Sequence, residues 1–360
     1  MKTFEMNSIR KDSDFCNEKI NKNSPVVEVF SRMVKGKEIG NMNKSVADKS
    51  VEFIKGLAEK AKYGDLSAAC ELNNIRRIVI EPEIMKELKL LSCFGKYQNL
   101  SYGESLEMEV YSYEGEKSRF QALNGDVTFP AIVAKRYPVA SHMISGGFAA
   151  DYRAMSMGDM TRENECMEQI RVDIRNKATK YVLNTVYEKI KSATGVKYTA
   201  EGSGITKTAL DNVIKNIRRF GKVSLIGDYS VVSQVNDLAP YTSTSANFTG
   251  FADVAMEEIR KAGLINVYNG CAVVEMPNAF DTSKIVGNNF ETILPECLLF
   301  VIPSGVNSPI HSFTRGGLTS FTGNDVASGQ ILSRFDLEIA ADVAQGQEYK
   351  IGIIKDSNLG

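Results

Sequence analysis

The chain has 360 residues, of which 43% are hydrophobic and 24% charged, a composition typical of a folded protein with a sizeable buried core. Its 43 basic and 44 acidic residues give a net charge of -1, which argues against a dedicated nucleic-acid-binding protein because such proteins carry a strongly basic surface. The first thirty residues contain no apolar segment of the kind found in signal peptides, and no later stretch of the sequence is apolar enough to span a membrane. We therefore expect a protein made and used in a cytosol-like space, with no membrane partner.

Cysteines and histidines offer little material for catalysis or metal binding. The six cysteines lie far apart without a CxxC spacing, so we interpret them as free thiols, most of them buried. The two histidines, His142 and His311, have no acidic neighbour in sequence, and we interpret both as structural or surface residues. The sequence therefore predicts no cofactor, no metal site and no catalytic residue.

The first 72 residues are rich in Lys, Asn, Asp and Ser and contain two amphipathic helical patterns, at residues 26–34 and 44–62. A short apolar run at residues 75–80 predicts a strand. Pro82 follows it, and because proline is favoured in the first turn of a helix, we predict a helix from there to about Leu91. This strand and helix would be the first elements of the main folded domain.

Between residues 104 and 139 the apolar pattern changes to a period of two. Apolar side chains occupy every second position at residues 106–110, as in a strand with one exposed face. A polar segment at 114–119 and a second extended stretch at 121–137 follow. We predict a long two-stranded hairpin with a charged tip, which must lie against its own domain or another subunit because an isolated hairpin is only marginally stable.

The longest helical pattern covers residues 161–192, where apolar residues recur every three or four positions. Such a helix would be on the order of 45 to 50 Å long and would act as a scaffold, although an ordinary core helix of an enzyme is an alternative. Glu163, Glu165 and Glu168 could bind a cation, but favourable interaction with the helix dipole explains an acidic first turn more simply.

Residues 202–283 have the α/β pattern of a compact subdomain. A helix is predicted over 208–220 and a strand at 223–226, and Asn269-Gly270 between two short strands is a strong signal for a type I′ turn.

Two glycine-containing turns in this segment come nearest to a phosphate-binding site. Residues 202–208 place glycines before a helix but lack the Gly-Lys-Ser/Thr core of a phosphate-binding loop, so we interpret them as a linker with a helix cap. Gly227-Asp228 supplies one glycine where a dinucleotide fingerprint needs three. Motifs of serine hydrolases, zinc proteases and EF-hands are also missing from the sequence, which weakens the case for an enzyme.

The C-terminal part is rich in strand patterns. We predict strands at 297–302, 308–313, 332–341 and 349–354. These strands would form a sheet covered by the long helix, so that residues 202–283 become an insertion between the helix and the strands of one domain.

Several sequence phrases and their order resemble the major capsid proteins of tailed bacteriophages. The phrases are LIGD at 225–228, NG at 269–270, VVEMP at 273–277, LLFVIP at 298–303, RFD at 334–336 and YKIGII at 349–354. The resemblance covers about residues 73–360 and implies the Johnson, or Hong Kong 97-type, capsid fold, which belongs to the α+β class. The implied parts are an N-terminal arm or assembly segment (1–72), an extended loop (104–139), an axial α/β domain (202–283) and a peripheral β-sheet domain (73–103, 140–201 and 284–360) with a spine helix (161–192).

The resemblance also implies contacts between subunits at the tip of the extended loop. The residues expected there are Glu114, Glu116, Lys117 and Arg119. Some members of this family cross-link an extended-loop lysine to a peripheral asparagine, and Lys117 would be the counterpart of that lysine. Because no motif identifies an asparagine partner, we infer no cross-linking chemistry. The long N-terminal segment is a candidate for removal by a maturation protease.

The resemblance implies a structural protein and not an enzyme. It would be a major capsid protein, assembled in the cytoplasm of a bacterial host, whose hexamers and pentamers build the icosahedral shell of a virion around double-stranded DNA. Its partners would be further copies of itself, portal, scaffolding and decoration proteins, and the packaged DNA, contacted without sequence specificity. Two alternatives stay open: an encapsulin-like shell of a bacterial compartment and, more distantly, a soluble α/β enzyme that binds a phosphate-containing ligand.

Overall fold

The computed structural model describes residues 23–37, 44–114, 120, 123, 131–238, 263–304, 308–325 and 330–359. Its helices are α1 (Pro25–Val34), α2 (Lys44–Lys62), α3 (Leu66–Leu88), α4 (Tyr152–Met157), α5 (Thr161–Ser192), α6 (Lys207–Ile217), α7 (Tyr229–Val232) and α8 (Gln234–Leu238). Its strands are β1 (Lys96–Leu100), β2 (Glu107–Glu114), β3 (Ala131–Pro138), β4 (Ser141–Ala149), β5 (Tyr198–Gly202), β6 (Val223–Gly227), β7 (Val267–Tyr268), β8 (Cys271–Glu275), β9 (Phe280–Val286), β10 (Asn289–Thr292), β11 (Leu298–Pro303), β12 (Ile310–Asp325), β13 (Gln330–Val343) and β14 (Gly352–Asp356).

Two compact units share the chain. The described residues of unit 1 come from 1–89, 143–178 and 314–338, and those of unit 2 come from 90–142, 179–313 and 339–360. Each unit therefore combines segments that are distant in sequence.

Three helices near the N-terminus form a packed layer of unit 1. The helices α1 and α2 confirm both amphipathic patterns, with Phe30 and Leu57 fully buried on their apolar faces. Asp65 begins α3, because its carboxylate accepts hydrogen bonds from the backbone N–H groups of Ser67 and Ala68. The predicted boundary at residue 72 lies inside α3, so the described residues on its two sides belong to one continuous helix.

The strand predicted at residues 75–80 is wrong, because these residues form the middle of α3. Leu72 and Ile75, one helical turn apart, are both fully buried, so the apolar residues of this run form the buried surface of a helix that packs on several sides. Pro82 also lies inside this helix and not at its start. Proline removes one backbone hydrogen bond, but the buried residues Ile80 and Ile84 continue the same face across it.

The long helix α5 has the predicted bounds, and all of its predicted core positions are buried. They are Met167, Ile170, Ile174, Ala178, Val182, Val186 and Ile190. In unit 1 this helix packs on strand β4, where a Cβ atom placed on Gly146 would lie 3.6 Å from Cγ2 of Ile170. Strand β4 belongs to a four-stranded sheet with the order β1-β12-β13-β4, so the long helix packs on a strand of the sheet that contains the late strands β12 and β13.

Unit 2 contains a six-stranded sheet with the order β5-β14-β11-β6-β8-β7. Strand β11 lies between β14 and β6, antiparallel to both, with Phe300 opposite Ile353 on one side and Ile226 on the other. Every residue of β11 is buried, as expected for a central strand. Helix α6 packs on this sheet through Leu210, Val213, Ile214 and Ile217, which join the apolar core of unit 2.

The late strands do not form the single sheet that the sequence analysis predicts. Strands β12 and β13 pair in the four-stranded sheet, whereas β11 and β14 pair with strands from residues 198–227. The continuous apolar run in β11 requires neighbours on both sides, and β6 and β14 supply them. Residues 298–303 and 352–356 are thus part of the sheet of the α/β segment.

Two local predictions in unit 2 hold. Asn269 and Gly270 have φ angles of 46° and 76° and join β7 to β8, which confirms the type I′ turn. The helix predicted over 208–220 is observed as α6, followed by a 3-10 turn at Arg218–Phe220.

Candidate assembly site

The predicted extended hairpin is confirmed in its described part. Strands β2 and β3 are antiparallel, from Glu107 opposite Pro138 to Glu114 opposite Ala131. Near the base, Met108 is buried in a cluster that includes Val139, Phe313, Ala340 and Ala344. Further along the strand, Tyr111 is 59% exposed. The hairpin is therefore anchored at one end in a core of its own unit and extends from it as an exposed ladder.

The four predicted contact residues lie at and beyond the far end of this ladder. Glu114 is the last described residue of β2, and the described part of β3 begins at Ala131. Glu116, Lys117 and Arg119 lie outside the described residues, as does most of the stretch predicted at 121–130. The role of these four residues in contacts between subunits stays a prediction.

Charges on the hairpin are paired across the two strands. Arg136 Nε donates to Glu109 Oε1 over 2.7 Å, and the hydroxyl of Tyr111 donates to Glu109 Oε2 over 2.9 Å. The hydrogen bond from Tyr111 and the charge of Arg136 hold the pKa of Glu109 below its usual value. These groups are exposed, so they contribute little to stability, but as directly opposite partners they favour one strand register.

The loop at residues 202–208 binds a carboxylate of the chain itself. The backbone N–H of Gly204 donates to Asp356 Oδ1 over 2.8 Å, and Gln234 Nε2 donates to Asp356 Oδ2 over 2.7 Å. Burial alone would raise the pKa of Asp356, but hydrogen bonds from Gln234 and the backbone N–H groups of Asn358 and Gly204 lower it below its usual value. The position that an external phosphate would need is thus occupied by an internal anion.

The second candidate turn is also structural. Asp228 is the N-cap of α7, where its Oδ1 accepts the backbone N–H of Ser230 over 2.8 Å. Its Oδ2 accepts Nδ2 of Asn278 over 2.8 Å. Both glycine-containing turns therefore direct their polar groups into the fold, and the enzyme alternative loses the two sites on which it depended.

The remaining reactive side chains form no metal site in the part of the chain that the structure describes. His142 packs its ring 4.9 Å from that of Tyr181, and burial lowers the pKa of His311. The prediction of mostly buried thiols is wrong: of the five described cysteines only Cys271 is buried, and Cys93 is exposed. Among the described helices, none is long and apolar enough to cross a membrane.

A buried ion pair in unit 1 escapes the sequence analysis. Arg76 is fully buried, and its Nη2 donates to Glu163 Oε2 over 3.1 Å while its Nε donates to Oε1 of the same carboxylate. The guanidinium lies 5.4 Å from the ring centroids of both Phe148 and Tyr152, and its Nη1 donates to Ser333 Oγ over 3.2 Å. This network joins three segments that are distant in the chain, around residues 76, 148–163 and 333.

Glu163 lies in the acidic first turn of α5, as the sequence analysis has it, but it is also 4% exposed and paired with Arg76, which the sequence analysis does not predict. One signal in the sequence points to such a partner. Arg76 interrupts an apolar run, and an arginine that is buried with its apolar neighbours needs an acidic partner.

Comparison with protein families identifies the chain. A family model described as "SPbeta prophage-derived putative capsid protein YonB" matches residues 5–355. The chain belongs to this family. It is therefore a capsid protein, a structural component of a virion, and the prediction of a phage capsid protein is confirmed. The mixture of helices and largely antiparallel sheets confirms the predicted α+β class, whereas the division into axial and peripheral domains stays a prediction.

Solved structures similar to this YonB-family chain have low sequence identity to it. The head structure of Helicobacter pylori bacteriophage KHP40 is 10% identical, with a TM-score of 0.47 over 72% of this chain and 88% of that chain. Mycobacterium phage Che8 is 9% identical, with a TM-score of 0.46 over 71% and 86%. A virus-like particle from Pyrococcus furiosus is 10% identical, with a TM-score of 0.43 over 77% and 97%. No curated protein matches the sequence.

Proposed function

We propose that this chain forms the shell of a virion by assembling into hexamers and pentamers that tile an icosahedron around double-stranded DNA. The observation that carries the proposal is the capsid-family match across residues 5–355. The β2–β3 hairpin supports it, because an exposed ladder whose base is anchored in the core of its own unit is suited to lie over a neighbouring subunit.

The physical logic of such a shell is the repetition of modest contacts. Each subunit would contribute the hairpin and further exposed surfaces to its neighbours, and many individually weak contacts together hold a closed particle. The near-neutral charge of the chain supports this role, because a shell should enclose DNA without binding it tightly. Portal, scaffolding and decoration proteins would be its other partners, with assembly in the cytoplasm of the bacterial host.

Electron microscopy of the purified full chain expressed alone, with light scattering on the same sample, tests the proposal. We expect closed shells, tubes or six-membered rings. The proposal would be contradicted if the chain stayed a monodisperse monomer or dimer at high concentration, both when expressed alone and when co-expressed with a scaffolding protein. Shells that contain a cargo enzyme and no nucleic acid would instead indicate the encapsulin-like alternative.

Deletion of residues 114–119 tests the role of the hairpin end. We expect a soluble, folded subunit with a strongly reduced yield of closed shells, because the deletion shortens the reach of the hairpin and leaves its anchored base intact. Circular dichroism checks folding, and particle counts check assembly. A normal particle yield would show that these residues are dispensable for assembly.

A further inference from the structure

A second hairpin, β9–β10, is separate from the predicted extended loop. Its strands are antiparallel, with Phe290 opposite Ile285 and Thr292 opposite Phe280. The register shifts between Phe290 and Glu291, where β9 carries extra residues. These two strands form a sheet of their own.

One face of this hairpin is apolar and exposed. Directly opposite residues share a face, so Phe280, Ile285 and Phe290 lie on the same side, and the ring centroids of the two phenylalanines are 6.4 Å apart. Phe280 is 58% exposed, Ile285 70% and Phe290 43%. Large apolar side chains clustered in this way on a surface are typical of an interaction site.

The other face carries charges that are paired within the hairpin. Asp281 lies opposite Glu291, and Lys284 Nζ is 3.9 Å from Asp281 Oδ2 and 3.4 Å from Glu291 Oε2. Val286, which lies opposite Asn289, belongs to this second face and is 66% exposed. Because Lys284 offsets one of its two acidic neighbours, this face keeps little net charge, and the hairpin is suited to an apolar partner more than to a strongly charged one.

The base of the hairpin is held rigidly. Asn278 Nδ2 donates to Asp228 Oδ2 and, over 3.1 Å, to the backbone oxygen of Leu294, whose N–H in turn donates to Asn278 Oδ1 over 3.0 Å. The backbone N–H of Ile293 also donates to the oxygen of Ala279 over 2.9 Å. The apolar face is therefore presented in a defined orientation at the end of β6, which reduces the ordering cost of binding.

The exposed area argues for a partner that makes many contacts at once. The three apolar side chains expose roughly 300 Å² together, since a large side chain of this kind offers about 150–250 Å². A stable complex of two proteins buries about 800 Å² on each partner, so this face alone cannot hold a dimer. In a closed shell, by contrast, the same small contact is repeated by every copy.

We propose that the apolar face of the β9–β10 hairpin docks on a second copy of this chain in the assembled shell. The inference rests on the proposed function, because only a shell of many copies supplies the additional contacts that so small a face requires. It assigns to this hairpin a role in assembly that is independent of the β2–β3 hairpin.

Adjacent residues on opposite faces provide a matched test. Ile285→Asp places a charge on the apolar face, whereas Val286→Asp places the same charge one residue away on the other face. Both positions are exposed, so both variants should fold and melt within about 2 °C of the wild type. We expect particle yield to fall about tenfold or more for Ile285→Asp and to stay at the wild-type level for Val286→Asp, because loss of one buried side chain weakens every repeated contact by about that factor.

Each outcome bears on one claim. Wild-type yield from Ile285→Asp, or equal losses from both variants, would overturn the docking proposal while the shell function stands. Absence of particles from the wild-type chain, with or without scaffolding protein, would overturn the proposed function and the docking proposal with it. If Ile285→Asp does not fold, Ile285→Ser removes the apolar surface without a charge, and wild-type yield from that variant would equally contradict the proposal.

Discussion

Unit 1 has an ionised network in its interior, whereas unit 2 surrounds its sheet with apolar side chains. In unit 1, Arg76 and Glu163 are buried among aromatic rings. In unit 2, the core around β6 and β11 is apolar, and Asp228 and Asp356 follow or end strands, where backbone N–H groups meet them. Strand pairing sets the alignment of segments in unit 2. In unit 1 the strands β4 and β13 also pair, but helices α3 and α5 have no such ladder between them, and a charged network with defined geometry can align them.

Breaking the charged network of unit 1 should destabilise the subunit more than any other single substitution considered below. Arg76→Met removes the cation and leaves Glu163 buried without its partner, so we expect a loss of about 3–5 kcal/mol in the free energy of unfolding. Urea denaturation of the unassembled subunit measures it. The double variant Arg76→Met, Glu163→Met should recover most of the loss, because two apolar side chains leave no buried charge. A single-variant loss below about 1 kcal/mol would show that the pair does not align unit 1.

Unit 1 contains a second buried carboxylate, which has no hydrogen-bonding partner among the described residues. Both oxygens of Glu71 are buried and accept no hydrogen bond from the residues that the structure describes. Burial raises the pKa of Glu71 from 4.5 to about 7, with Lys60 lowering it and Asp65 raising it by smaller amounts. Between pH 4.5 and about pH 7, Glu71 is protonated in the folded state and ionised in the unfolded state. The free energy of unfolding therefore falls as the pH rises through this range.

Glu71→Gln should remove that pH dependence. At pH 8 we expect the variant to be more stable than the wild type by roughly 3–4 kcal/mol, at about 1.4 kcal/mol per pKa unit, with little difference below pH 4.5. Urea denaturation at both pH values is the measurement. Glu59→Gln, which alters an exposed glutamate of α2, is the control and should change neither value. If the free energy of unfolding changed with pH in the same way for the wild type and Glu71→Gln, the raised pKa of Glu71 would be contradicted.

A tight backbone position tests the apolar core of unit 2, with a smaller expected effect. A Cβ atom on Gly352 would overlap Cγ1 of Val213 and lie 3.2 Å from Cβ of Val301. Gly352→Ala should therefore lower the free energy of unfolding by about 1–3 kcal/mol through overpacking. At Gly195 an added Cβ would meet no described atom within 4 Å, so Gly195→Ala serves as the control. Equal stability of the two variants would mean that the sheet adjusts to the added methyl group.

The elements predicted well are those whose signal is local. The helices at residues 44–62 and 161–192 have their predicted bounds, because residues three and four apart on one face decide a helix before any distant contact forms. The turn at Asn269-Gly270 is likewise decided by two residues that tolerate positive φ. The order of such elements, with a few sequence phrases, is sufficient to indicate the capsid family that the comparison confirms.

Tertiary structure decided which segments meet. The apolar run at residues 75–80 suits a strand or a buried helix equally well, and packing on both sides made it a helix. Strands β11 and β14 pair with strands more than 70 residues earlier in the chain, and Arg76 meets Glu163 across 87 positions. Periodicity within a segment determines the backbone conformation of that segment. Its distant pairing partners are selected only when the whole chain folds, because closing such long loops costs entropy that only the joint burial of the paired surfaces offsets.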